Sequence, residues 1–76
     1  MNNARRKQIA SIKTEIEEKL SLLQELQEEE QDYFDNMPEN LQYSERGEKA
    51  EQAADDLQNI IDEIQSQLEE LETVIE

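Results

Sequence analysis

The sequence contains no cysteine and no histidine. The first absence excludes disulfides and thiolate metal sites. The second removes the commonest metal ligand and the commonest general base. A single glycine rules out a Gly-rich phosphate loop. No hydrophobic run approaches the ~20 residues that a membrane span needs. The basic start, Met1-Asn2-Asn3-Ala4-Arg5-Arg6-Lys7, is followed by Gln8, Ser11, Lys13 and Glu15. No apolar stretch comes after those cations, so a signal peptide is not expected. Only three aromatics occur, Tyr33, Phe34 and Tyr43, all near one short segment.

Positive charge is also scarce. Seven basic residues face 21 acidic ones, a net charge of −14. Four of the seven, Arg5, Arg6, Lys7 and Lys13, precede Thr14, which leaves −18 on residues 14–76. Such a chain repels nucleic acid and anionic lipid, and is drawn to proteins that grip them. High charge with few aromatics is also the composition of disordered chains. Periodicity argues against disorder here.

Gly47, Ala50, Ala54, Leu57, Ile61, Ile64, Leu68, Leu71 and Ile75 recur at alternating spacings of three and four. That is a heptad seam, the signature of helices in coiled-coil contact. The first half carries Ile9, Ile12, Ile16, Leu20, Leu23 and Leu26 in a less regular version of the same pattern. Between them, Pro38 disfavours a helical Met37. Ser44 is a good N-cap for the second helix, and Glu45 and Glu48 suit the positive end of the helix dipole.

The reading is all-α: one domain over residues 1–76, an antiparallel two-helix coiled-coil hairpin. Helix one is expected over about 4–35, the turn over about 36–44 and helix two over about 45–75. Centring the turn near Asn40 sets Leu23 opposite Leu57, Ile16 opposite Ile64, Ile12 opposite Leu68 and Ile9 opposite Leu71. Tyr33 and Phe34 then approach Gly47, Ala50 and Ala54, Leu41 folds back over the hairpin end, and Arg5, Arg6 and Lys7 meet Glu69, Glu70, Glu72 and Glu76. Leu20, Leu22, Ile60 and Val74 lie beside the seam and widen its stripe. They are the candidate oligomer interface, through which two hairpins would pair into a four-helix bundle. A wider seam within one hairpin is the plainer reading of the same residues.

Catalysis is not expected, because a thin hairpin offers no pocket to tune a carboxyl group. No catalytic residue and no cofactor are assigned. Metal is not expected either. Glu28, Glu29, Asp32, Asp35 and Glu39 are oxygen donors, but the Asp-x-Asp-x-Asn-Gly calcium pattern is missing. The acids near the turn admit two readings. Glu28, Glu29, Asp32, Asp35, Glu48, Glu51, Asp55 and Asp56 are the candidate partner-binding surface. Carboxylates at helical spacing lie ~5–6 Å apart, close to phosphate spacing, and suit a basic groove. Alternatively they keep a coiled coil soluble.

The stretch Asp35-Asn36-Met37-Pro38-Glu39-Asn40-Leu41-Gln42, followed by Ser44-Glu45-Arg46-Gly47-Glu48, resembles a turn found in small acidic helical-hairpin proteins of phages and mobile elements of Gram-positive bacteria. The resemblance extends along the chain: a basic start, an Ile/Leu-rich helix, the turn and a Glu-rich helix. It assigns no activity. It implies a phage or prophage origin and a place in the cytoplasm of a bacterial host. Similarly charged phage proteins block host nucleic-acid enzymes by imitating DNA. The function expected is therefore protein binding, as an inhibitor that mimics nucleic-acid charge, with no direct binding of nucleic acid or membrane. The alternative is a structural or adaptor coiled coil that self-associates within an assembly.

Overall fold

A computed structural model describes residues 1–76. Helix α1 spans Asn3–Asp35, a one-turn helix α2 spans Glu39–Gln42, and helix α3 spans Glu45–Ile75. The long helices pack against each other as an antiparallel hairpin measuring 58 × 16 × 13 Å. No glycine or proline interrupts α1, and α3 has glycine only in its first turn. Glu, Gln, Leu, Lys and Ala, all strong helix formers, fill most of both.

Each long helix starts on a side-chain cap. Asn2 Oδ1 accepts from the Arg5 backbone N–H at 2.8 Å, and Ser44 Oγ accepts from Gly47 N–H at 3.3 Å. The Ser44 cap is the one expected from sequence. Along the solvent faces, Gln31 donates to Asp35 at 3.0 Å, Gln52 to Asp56 at 2.8 Å and Gln58 to Asp62 at 3.0 Å. Pairs of this Gln–Asp (i, i+4) type stabilise a helix by about 0.2–0.5 kcal/mol each. A neutral donor does this without a cation, which suits a surface of one sign.

The turn holds more structure than expected. Asn36 N–H donates to the Asp32 carbonyl at 2.9 Å and ends α1. The Pro38 carbonyl accepts from Leu41 at 2.8 Å and Gln42 at 3.1 Å, which makes α2. Gln42 Nε2 returns to the Phe34 carbonyl at 3.2 Å, one of the orphan acceptors at the end of α1. Gly47 packs against this turn. A Cβ there would collide with the Leu41 and Gln42 carbonyl oxygens. The glycine thus admits the turn backbone. Leu41 lies at the hairpin end beside Tyr33, Met37 and Pro38 and is 42% exposed.

The core is narrow. Leu20, Ile61 and Leu68 are buried, with Leu23, Ile64 and Leu71 packed against them, while Ala50 and Ala54 are buried nearer the tip. On α3 this is the expected seam. On α1 it is rotated from the expectation. Ile12 is 53% and Leu26 56% exposed, while Lys13 and Gln27 turn inward. The close contacts at the tip set this rotation: Gly47 on the turn, then Gln27 bonded across to Ala54 at 3.3 Å. At 3.6 residues per turn, Ile12 and Leu26 then fall on the flank, while Ile16 stays at the groove between the helices.

Candidate protein-binding surface

The rotation gives the hairpin two unlike broad faces. On one, Glu17, Ser21, Gln24, Gln65 and Glu69 border a shallow groove whose floor is Leu20 and Leu68. Toward the tip, Glu48, Glu51, Gln52 and Asp55 line a second hollow with no apolar residue. Glu28, Asp32 and Asp35 continue the same face on α1, at spacings of four and three that stack side chains on one side of a helix. All eight of these carboxylates are exposed.

Two of the eight acids expected at a partner surface are placed elsewhere. Glu29 follows Glu28 by about 100° and points away from α3. Asp56 follows Asp55 by the same step, onto the outer side of α3, where Gln52 at the rim of that hollow bonds it. Glu17 and Glu69 join the acidic face and were missed. The signal for them is present: stepping by four, three and four from Glu28 toward the open end leads through Gln24 and Ser21 to Glu17, all on one side.

The other face is apolar. Ile16 and Ile64 lie in the groove between the helices there, with Leu23 and Leu71 beside them. Lys19 and Glu63 stand at its edges. At the tip the same side holds Tyr33, Met37, Leu41 and Arg46. Arg46 Nε donates to the Tyr33 hydroxyl at 2.6 Å, with Cζ 5.6 Å from the ring centre, so the guanidinium meets the rim of the ring. This fixes one of the two tip cations away from the acidic face. The other, Lys49, pairs with Glu45 at 3.1 Å.

Of the four residues expected at an oligomer interface, Leu20 is 7% exposed and belongs to the hairpin's own core. Leu22 is 51%, Ile60 47% and Val74 50% exposed. The ion pairing expected at the open end also differs. Arg5, Arg6 and Lys7 form no ion pair, and the link between helices is Lys13 Nζ to Glu72 at 3.2 Å, with Glu17 at 2.9 Å on the other side. These bonds, to Glu17 first and Glu72 second, raise the Lys13 pKa above its ordinary 10.5.

The arrangement offers contact surfaces and only shallow, open grooves. No group of three or more His, Cys, Asp or Glu side chains is placed to hold a metal ion. No helix is long and apolar enough to cross a membrane. No protein-family model, curated protein or solved structure matches the chain.

Proposed function

We propose that this is a protein-binding module whose acidic face occupies the basic surface of a nucleic-acid-binding protein and blocks it. In this reading it is a phage-type decoy acting in the cytoplasm of a bacterial host, and its hairpins pair into a four-helix bundle. The observation that carries the reading is segregation. Glu28, Asp32, Asp35, Glu48, Glu51 and Asp55 share one face, while Arg46 is tied to Tyr33 on the other. Coiled coils charged only for solubility gain from mixing signs through i,i+4 pairs. A face of one sign forgoes that gain and accepts self-repulsion. What it provides is a negative field along a rod 58 Å long, which is under two turns of duplex at about 34 Å per turn.

The test compares the natural chain with a variant in which those six acids become Gln or Asn. Both are used to capture proteins from a Gram-positive bacterial lysate, eluted by rising salt and challenged with duplex DNA. The reading expects a nucleic-acid-binding protein that DNA displaces and that the variant fails to capture. Equal capture by both chains would refute it.

The apolar face favours a second reading, a structural or adaptor coiled coil whose contacts are with helices of an assembly. It expects captured proteins to be indifferent to salt and to DNA.

A further inference from the structure

The apolar face is not accounted for by an acidic decoy surface. Its groove around Ile16 and Ile64 is extended by Ile12 (53% exposed), Ile60 (47%) and Val74 (50%) at helical spacing. Its edges carry both signs, Lys19 and Arg46 with Glu63, whereas the tip hollow of the face behind it carries acids and no cation. An apolar middle with mixed charges along the edges is how helices select other helices.

We propose that a second copy of the chain covers this face, with the tip of each hairpin against the open end of the other. The inference rests on the four-helix pairing of the proposed function and adds the face and the direction. Size supports a second copy. A face 58 Å by 16 Å is of the order of the ~800 Å² per partner that a standard interface buries. The need is there too, because only Leu20, Ile61 and Leu68 among the large apolar side chains are buried in the single hairpin, and small domains commonly gain stability by oligomerising.

Charge selects the direction. Residues 20–59, the tip half, hold twelve acids and two cations, a net of −10; residues 1–19 and 60–76 hold nine acids and five cations, a net of −4. Tip-on-tip stacking sets −10 against −10. Tip-on-open-end stacking sets −10 against −4 at both ends. A two-fold axis across the hairpins also runs each helix antiparallel to its own copy. Helix α1 is basic near its N-terminus and acidic toward its C-terminus, and α3 carries its only two cations, Arg46 and Lys49, near its N-terminus among Glu45, Glu48 and Glu51. Arg5 of one copy is thereby brought toward the acids around Asp32 of the other, and Lys49 toward those around Glu70. This is an isologous contact that closes at two copies and leaves both acidic faces outward.

Mass and direction are tested separately. Sedimentation over a concentration series should give twice the 9.0 kDa chain mass, falling toward one chain for Ile12→Glu/Ile60→Glu. The absence of native cysteine permits Asn3→Cys at the open end and Asn40→Cys at the tip. A short bismaleimide should join the two variants when mixed, and should not join Asn40→Cys to itself. One chain, or more than two, at every concentration would overturn the pairing itself. A dimer unmoved by the Ile12/Ile60 changes would overturn the face. A dimer joined through its two tips would overturn the direction while leaving the pairing intact. If the glutamate variant unfolds on dissociation, cross-linking of the otherwise natural chain still decides both points.

Discussion

The side-chain amide of Gln27 donates across the hairpin to the backbone carbonyl of Ala54, 3.3 Å away. Gln27 is 8% exposed, the one buried polar side chain in the protein, and Ala54 is fully buried. The small alanine lets α1 approach closely enough for the bond, and the bond holds the rotation that puts Ile12 and Leu26 outside. Ala54 lies inside α3, where its carbonyl keeps a helical donor. Gln27→Leu should therefore change stability by no more than about 1 kcal/mol, the net worth of one such bond. Gln27→Glu should cost more, about 1–3 kcal/mol, because a buried carboxylate would face a carbonyl oxygen with no proton between them. Its deficit should shrink in acid, where a protonated carboxyl can donate. Urea midpoints for the three chains at neutral and acid pH check this, and equal midpoints for the Leu and Glu variants would count against the bond.

Gly47 gives a prediction of opposite sign to the usual helix rule. Within a helix, glycine to alanine ordinarily stabilises by about 0.8–1 kcal/mol. Here the added Cβ meets the backbone carbonyls of Leu41 and Gln42, which cannot move without opening α2. Gly47→Ala should therefore destabilise, by about 1–3 kcal/mol as overpacking does. Thermal unfolding followed by circular dichroism reads the sign. A raised melting temperature would mean that the turn does not rest on this glycine.

The sequence made the hairpin legible because α3 repeats threes and fours without error from Gly47 to Ile75, and Ser44 marks its start. The rotation of α1 was not legible for a physical reason. Its apolar stripe is wider than one seam, so Ile9, Ile12, Ile16, Leu20 and Leu23 permit more than one facing edge. The choice falls to Gln27 and Gly47, a polar residue and one with no side chain, which hydrophobic periodicity does not weigh. The acids were legible as a cluster but not as a face. Once α1 is rotated, Glu28, Asp32 and Asp35 join Glu48, Glu51 and Asp55, while Glu29 and Asp56 leave.

The excess of acid predicts how the protein responds to salt. Only three ion pairs are present, two of them on Lys13, against a net charge of −14. Screening acts within roughly 10 Å at 0.1 M salt and should relieve more repulsion than attraction. Sodium chloride should raise the melting temperature of the natural chain. It should do so much less for the variant with the six face acids neutralised. A fall with salt in the natural chain would mean that its few ion pairs outweigh the repulsion.

Lys13 supplies the one pH dependence that the geometry fixes in sign. Its ammonium bridges Glu17 and Glu72, and those bonds favour the charged form, raising its pKa above 10.5. A raised amine pKa means that the folded state binds the proton more tightly than the unfolded state. The stability from Lys13 is then fully present below the unfolded value and is lost as pH climbs through the folded one. The difference in urea midpoint between the natural chain and Lys13→Met should stay level from neutral pH to about 10.5 and fall above it. Other groups that titrate in that range are common to both chains and cancel in the difference. Lys13→Arg, which keeps its charge in strong base, should hold its advantage over Met where the natural chain loses it. A natural-minus-Met difference unchanged across the alkaline range would show that Lys13 acts through its packed methylenes and not through its charge.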